Sequence, residues 1–253
     1  MCERRHYDPA VSAAPAVDPA RELDELRSYL GEAFDEALLR AHEQALEQEL
    51  GSAGDEGLLY RTSRMYLYDL TVFAMSQTKA PYLAQLARRI PPPARVLDFG
   101  CGIGSDGLAL AEAGYDVTFA DFANPSTDYL RWRLAHRGLA APVHDLDAGT
   151  LGGGFDVAYA FDVIEHVRDP HAFLDDLEAR SRQVLVNFLG PLPGETALHH
   201  PLPVGDLLRR AASRRLRAHR RLYGRSHLVL YDTRPAAGAL GRAASRARLL
   251  TRR

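Results

Sequence analysis

Length, composition and charge restrict the classes of protein that this sequence can encode. Its 253 residues suffice for one sizeable core, and 46% of them are hydrophobic, which is typical of globular proteins. No apolar run approaches the roughly 20 residues of a membrane-spanning helix, and the first residues lack the apolar segment of a signal peptide. Because Cys2 and Cys101 are the only cysteines, a disulfide framework is excluded, and we predict a cytoplasmic, single-domain protein without membrane contact.

The net charge of −2 is unevenly distributed along the chain. From Arg209 onward there are 14 arginines and one acidic residue, Asp232. Such a basic end can contact nucleic acid or anionic lipid. Residues 234–253, however, lack aromatic side chains that stack on bases, so we predict a solvated, disordered tail and consider nucleic-acid binding unlikely.

The first third of the chain predicts a leader followed by helices. Residues 1–20 show no periodicity and predict a disordered leader. Residues 21–90 predict a helical cap whose first part is one amphipathic helix from Asp24 to Leu50, and the glycine-containing residues 51–57 end it. Its apolar residues recur at helical spacing: Leu26, Leu30, Phe34, Leu38, Leu46 and Leu50. Two further helices are predicted before Pro91.

After the prolines, strands alternate with helices, which predicts parallel βαβ units across residues 91–233. The predicted strands are RVLDFG, DVTFAD, APVHD, FDVAYAF and RQVLVNF, and two more near the C-terminus are joined by a turn. Asp169 and Pro170 suit the N-cap and first position of the helix between the last two of the five.

The loop after the first strand carries glycines at 100, 102 and 104, preceded by Asp98. Glycines let a backbone approach a ligand closely, and Asp121, at the end of the second strand, suits ribose hydroxyls. The spacing differs from the dinucleotide pattern G-x-G-x-x-G. A carboxylate at Asp98 would repel a pyrophosphate but suits the ammonium group of an amino acid, so the loop favours S-adenosylmethionine (SAM) over NAD.

The segments VLDFGCGIG, VTFAD and FDVAYAFDVIEHV resemble successive motifs of class I SAM-dependent methyltransferases. The similarity is greatest to the small-molecule branch that includes ubiquinone- and menaquinone-biosynthesis and natural-product enzymes. The resemblance implies an α/β, Rossmann-like fold. It has a seven-stranded, mostly parallel sheet whose last strand is antiparallel, helices on both faces and an N-terminal helical cap.

The resemblance also implies which residues hold SAM. Asp98, Gly100, Gly102 and Gly104 would line the methionine end and the ribose, and Asp121 would hold the ribose hydroxyls. Phe122 would pack on adenine, and Phe161 would contact the methionine portion. Asp145, or alternatively Asp147, would bind the amine of adenine. In similar enzymes an N-terminal helix closes over SAM, where Tyr60, Tyr66 or Tyr68 would shield the sulfonium.

Methyl transfer requires alignment more than acid–base groups, because the sulfonium already activates the methyl carbon. We name His166, His199 and Tyr68 as catalytic candidates. Asp162 and Glu165 have the spacing of a capping box, which offers a structural alternative for that segment. His199 and His200 can bind an acceptor or act as a base. Adjacent histidines rarely share one ion and only Glu195 lies near in sequence, so we predict no metal site.

The sequence therefore predicts a SAM-dependent enzyme that methylates oxygen, nitrogen or carbon of a small molecule, in secondary metabolism. One alternative is a non-methylating enzyme that cyclises SAM to azetidine-2-carboxylate and releases methylthioadenosine. Another is an RNA methyltransferase, which the basic C-terminal region suggests. The residues do not distinguish a monomer from a homodimer.

Overall fold

The computed structural model describes residues 14–149, 151–190, 192, 198–235, 244 and 247. Most of the predicted leader and tail, and also Cys2 and Glu195, lie outside the described residues. Two compact units emerge. The first takes in the described residues up to Arg95 together with Cys101–Asp147, and the second takes in Val96–Gly100 and the described residues from Ala148 onward. The domain limits expected from the sequence stay a prediction.

The first unit begins with six short helices. They are α1 (Pro19–Leu30), α2 (Glu36–Arg40), α3 (His42–Ala53), α4 (Glu56–Thr62), α5 (Met65–Met75) and α6 (Ala80–Arg89). An aspartate carboxylate caps the amides of the first turn in three of them, from Asp18, Asp35 and Asp55. None of the helices in the described residues is long and apolar enough to cross a membrane.

The prediction of one helix running from Asp24 to Leu50 was wrong, because α1, α2 and α3 occupy this stretch. Gly31 ends α1 with a positive φ of 54°, and a single 3₁₀ turn, Gly31–Ala33, follows it. Asp35 then starts α2 by accepting a hydrogen bond from the amide of Ala37 at 2.7 Å. The apolar spacing continued across the break because α1 and α2 both bury leucines, Leu26 and Leu39, in the same cluster.

The first unit also contains two parallel strands with the helices around them. The strands are β2 (Asp116–Asp121) and β3 (Val143–Asp145), and the helices are α7 (Ser105–Glu112) and α8 (Pro125–His136). Asp121 and Asp145 are register partners, so both carboxylates lie at the same strand ends. A capping box of Asn124 and Thr127 starts α8.

A buried ionic cluster, which we call the α1–α8 junction, consists of Glu22, Glu25, Arg133 and Arg137. The Arg133 side chain is fully buried, pairs with Glu22 and donates to Glu25 at 2.7 Å. Arg137 donates to the other Glu25 oxygen at 2.7 Å. Arg133 also donates to the carbonyl of Ile103 at 2.8 Å, so the same guanidinium contacts α1 and the glycine-rich loop.

The second unit holds the remaining strands and two helices. The strands are β1 (Arg95–Phe99, from Val96 in this unit), β4 (Phe155–Ala160), β5 (Ser181–Leu189), β6 (Arg214–Leu222) and β7 (Ser226–Pro235). The helices are α9 (Pro170–Arg180) and α10 (Val204–Ser213). Asp169 caps α9 and Pro170 is its first residue, which confirms that prediction.

The seven strands form one sheet in the order β3-β2-β1-β4-β5-β7-β6. β1, β4 and β5 pair in parallel, whereas β7 runs antiparallel to both β5 and β6. The predicted seven-stranded, mostly parallel Rossmann-like sheet is thereby confirmed. In such sheets, ligands bind beyond the carboxyl ends of the parallel strands, where Asp121 and Asp145 lie.

Candidate functional site

In the first unit, the carboxylate of Asp121 links β2 to the glycine-rich loop. Its Oδ2 accepts a hydrogen bond from the amide of Gly102, and its Oδ1 accepts one from Phe122, both at 2.7 Å. Burial raises the pKa of Asp121 despite these two hydrogen bonds and the nearby charge of Arg61. A carboxylate offers about four acceptor positions, so it can still take two hydroxyl donors.

The glycines of this loop are required by backbone conformation and by space. Gly102 has a φ of +52°, and a Cβ there would lie 2.9 Å from Leu70 Cδ1. Gly104 has a φ of +75° and immediately precedes α7, and a Cβ there would collide with Leu130. The loop therefore packs closely against side chains of α5 and α8, which leaves no room for a side chain at either glycine.

Arg61, from α4, covers the side chain that follows Asp121. Its guanidinium lies 3.9 Å from the ring centroid of Phe122 and donates to both carboxylate oxygens of Asp147, each at 2.8 Å. Asp145 instead accepts the amides of Ala123 and Asp147, at 3.2 and 3.0 Å. The sequence alone assigned no role to Arg61. Its contacts with Phe122 and Asp147 join distant parts of the chain, so no local sequence pattern could predict them.

Tyr68 lies in the apolar cluster of the first unit. Its side chain is buried, and its hydroxyl accepts a hydrogen bond from the amide of Asp35 at 3.0 Å. That contact joins α5 to the start of α2, which is a structural use of the hydroxyl. Tyr60 and Tyr66 contact each other edge to face, with ring centroids 5.6 Å apart.

In the second unit, three of the predicted SAM-binding residues lie at or beside the ends of β1 and β4. Asp98, on β1, is 5% exposed and is the register partner of Tyr159 on β4. Gly100 has a φ of +74°, and a Cβ there would meet Val163 at 2.7 Å. The buried ring of Phe161 lies 4.7 Å from that of Tyr159.

The proposed capping box of Asp162 and Glu165 was wrong. Asp162 has a positive φ of 55°, and its Oδ1 accepts a hydrogen bond from Asn187 Nδ2 at 2.7 Å. Its amide donates to Asn187 Oδ1 at 2.8 Å. The segment after it is a 3₁₀ turn, Ile164–His166, whose N-cap is Val163 and not an aspartate. Asn187 on β5 thus holds the chain as it leaves β4.

His166 and His199 come together with Glu165 in the second unit. One ligand atom from each lies within 4.8 Å of the others, and the two imidazole centroids are 4.7 Å apart. The Nδ1 of His166 donates to the carbonyl of Leu198 at 3.0 Å. The amide of His200 donates to the carbonyl of Glu165 at 2.7 Å. Sequence reasoning named both histidines but gave Glu165 only a capping role.

Comparison with known proteins decides the family. A family model described as a methyltransferase domain matches residues 74–229, which is more than half of the chain. The chain belongs to this methyltransferase family. The predicted class I, SAM-dependent type is thereby confirmed, together with SAM as its cofactor, and the fold agrees with it.

Curated relatives match this methyltransferase over part of their length. A ubiquinone biosynthesis O-methyltransferase of Bordetella avium is 39% identical over 83 residues, which cover 31% of this chain and 34% of that protein. A cypemycin N-terminal methyltransferase of a Streptomyces species is 36% identical over 100 residues, covering 39% of this chain and 40% of that protein. The match thus spans little more than a third of the length of these curated relatives.

The fold of the methyltransferase is also found among solved structures. Magnesium protoporphyrin IX methyltransferase of Synechocystis PCC 6803, solved with bound SAH, aligns with a TM-score of 0.55 at 18% identity. The alignment covers 75% of this chain and 99% of that one. At this identity the likeness concerns the fold alone.

Proposed function

We propose that the protein transfers the methyl group of SAM to an oxygen, nitrogen or carbon atom of a small molecule. The observation that carries the proposal is the family match across residues 74–229, which includes the glycine-rich loop and the ends of β2, β3 and β4. Of the relatives, one is an O-methyltransferase and another is an N-terminal methyltransferase. They therefore support methyl transfer without selecting the acceptor atom.

In this proposal, the residues predicted from the sequence hold SAM. Asp121 accepts the ribose hydroxyls, and its bonds from Gly102 and Phe122 support this role because they fix the carboxylate while leaving acceptor capacity. Phe122 offers a ring to adenine, with Asp145 or Asp147 near its amine. The proposed lining of the methionine end and the ribose is Asp98, Gly100, Gly102 and Gly104, and Phe161 contacts the methionine portion.

The chain must align the acceptor atom with the methyl group of SAM. It must also supply a base if the acceptor has to lose a proton. The nucleophile attacks the methyl carbon while the carbon–sulfur bond breaks, which leaves S-adenosylhomocysteine. His166 and His199 are the proposed bases, since an imidazole near neutral pH takes a proton readily. Tyr68 is the weakest of the three candidates, because its buried hydroxyl already accepts the amide of Asp35.

The acceptor's pathway and the protein's location are further proposals. Secondary metabolism was predicted from the sequence, whereas the ubiquinone relatives act, by their names, in ubiquinone biosynthesis. Binding of a small-molecule acceptor is supported by the family, and a cytoplasmic location is proposed from the sequence. Both a monomer and a homodimer are compatible with this proposal.

Nucleic acid stays an unlikely partner in this proposal. Several described arginines near the C-terminus already bind carboxylates of the chain. Arg210 and Arg214 pair with Glu178 at 3.0 and 2.6 Å, and Arg217 pairs with Asp232 at 2.9 Å. Their charge is thus partly neutralised within the second unit.

A binding experiment with matched aspartate variants tests the proposal. We expect Asp121→Asn to weaken SAM binding about 10- to 100-fold in calorimetry, because charge-assisted hydrogen bonds to the ribose are lost. Asp116→Asn is the control, since Asp116 begins the same strand and its side chain is exposed. Equal affinity in the two variants, or no SAM binding by the wild type, would contradict the proposal.

Product analysis then separates methyl transfer from the cyclisation alternative. The protein is incubated with SAM alone, and the products are followed by mass spectrometry. We expect SAM to stay intact until an acceptor is supplied. Methylthioadenosine formed faster than in an enzyme-free control would instead make SAM itself the substrate.

A further inference from the structure

The turn after β4 and the loop before α10 bring three metal-ligating side chains together. Glu165 and His166 lie in the 3₁₀ turn Ile164–His166, and His199 follows β5 by ten residues. The Glu165 residue is 2% exposed, and the two histidines are partly buried. Their ligand atoms lie within 4.8 Å of one another, so the three side chains are close enough to converge on one ion.

Two backbone contacts hold these segments together independently of any ion. His166 Nδ1 faces the carbonyl of Leu198 at 3.0 Å, and since a carbonyl only accepts, Nδ1 carries the proton. The Nε2 of His166 therefore keeps its lone pair, which is the arrangement that metal-binding histidines adopt. The amide of His200 donates to the carbonyl of Glu165, which holds the loop that carries His199 against the turn.

The chemistry of the three donors selects a class of ion. Two imidazole nitrogens and one carboxylate oxygen suit zinc and similar divalent transition ions, whereas magnesium and calcium prefer oxygen ligands throughout. A tetrahedral zinc ion places its donors about 3.4 Å apart, so the side chains need only small rotations to close on an ion.

We propose that Glu165, His166 and His199 form a binding site for one divalent transition-metal ion of the zinc class. Three protein ligands leave a coordination position for water or an oxygen atom of a small molecule. This proposal replaces the sequence prediction of no metal, which considered His199 only beside His200. The fold instead brings His199 close to a histidine and a glutamate from another segment. With an ion bound, His166 and His199 act as ligands in place of the base role proposed above. The metal site stands on its own residues, whether or not the chain transfers a methyl group.

A cobalt titration tests the site directly. The full chain is treated with a chelator and titrated with Co²⁺, whose visible absorption reports low-symmetry coordination by nitrogen and oxygen. Zn²⁺ titration calorimetry gives the affinity. We expect one Co²⁺ per chain for the wild type, and at least about 10-fold weaker binding for His199→Ala or Glu165→Gln. Circular dichroism checks that each variant is folded, and His199→Ala decides the question if Glu165→Gln is not.

Two histidine controls identify the site that binds the ion. His200→Ala removes the neighbour of His199 and should leave Co²⁺ binding unchanged. His219→Ala disrupts a second pair of histidines, His219 and His227, whose ring nitrogens lie 3.0 Å apart on β6 and β7. Absence of a Co²⁺ band in the wild type, an unchanged affinity in folded His199→Ala, or its loss in His219→Ala would overturn the proposal. SAM is absent throughout, so this result is independent of the SAM-binding test.

Discussion

Two arginine–carboxylate contacts tie the N-terminal helices of the first unit to the strands and helices that follow, and they differ in exposure. At the α1–α8 junction, Arg133 is fully buried, with 2% and 3% of the Glu22 and Glu25 side chains exposed. In the contact of α4 with the 3₁₀ turn that follows β3, the Arg61 side chain is 38% exposed and that of Asp147 is 51% exposed.

The difference in exposure shows which of the two contacts a bound ligand could replace. Breaking a buried ion pair leaves a charge without water or partner, whereas exposed ions are rehydrated at little cost. The α1–α8 junction is therefore a fixed part of the fold. Arg61 can leave Asp147 and the Phe122 ring without a large loss of stability, so its contact is compatible with a ligand that takes its place.

The largest expected effect is on stability, from the loss of the buried guanidinium. We expect Arg133→Met to lower the free energy of unfolding by about 3–5 kcal/mol, because Glu22 and Glu25 stay buried with one cation fewer. Urea denaturation measures the change. The control is Arg131→Met on the same helix, whose pair with Asp128 is exposed and should contribute less than about 1 kcal/mol. Equal losses of stability in the two variants would contradict the larger contribution expected of the buried ion pairs.

The stability contributed by the α1–α8 junction is also expected to depend on pH. Burial alone would raise the pKa of Glu25, but the hydrogen bonds and charges of Arg137 and Arg133 outweigh it and lower the pKa. The folded state therefore binds this proton less tightly than the unfolded chain. The stabilisation is present above the ordinary glutamate pKa of about 4.3 and is lost as pH falls through the lower folded value.

Thermal unfolding of the wild type and Glu25→Gln at several pH values measures this contribution. We expect the Tm difference between the two proteins to be largest near neutral pH and to shrink on acidification below about pH 4. Glu36→Gln is the control, because its pairs with Arg27 and Arg40 are exposed. A Tm difference that stays constant with pH would contradict the sign of the pKa shift.

The smallest effect on stability is expected at Arg61, where the readout is ligand binding. Arg61→Ala should change the free energy of unfolding by at most about 1 kcal/mol. If adenine takes the ring face of Phe122 that Arg61 now covers, the variant should bind SAM faster, by a few-fold in stopped-flow kinetics. Arg40→Ala, an exposed arginine of α2, is the control. Slower SAM association in Arg61→Ala would instead make the guanidinium part of the binding surface.

Local patterns predicted much of the fold correctly. The alternation of apolar strands with helices predicted the parallel strands, and Asp169 followed by Pro170 predicted where α9 begins. The continuous helix from Asp24 failed because apolar spacing records burial and not chain continuity. A glycine with positive φ at Gly31 ended the helix while the next leucines stayed in the same core.

The candidate sites depended more on distant contacts. Arg133 and Glu22 are 111 residues apart, and Arg61 and Asp147 are 86 residues apart. No periodicity or spacing rule connects such positions, because each charged residue alone is typical of a solvated helix surface. The contacts of Glu165 were also not predicted, because its spacing from Asp162 suggested a capping box. In the structure Asp162 has a positive φ, and the Asp162 carboxylate instead bonds Asn187.

The sequence by itself determined the family, the succession of strands along the chain and the glycine-rich loop, because these follow from local patterns and short motifs. Tertiary structure alone decided which arginine is buried, which one covers Phe122, and which histidine joins Glu165. Burial and charge pairing depend on segments brought together by folding, and a side chain's chemistry changes with the neighbours that replace its water.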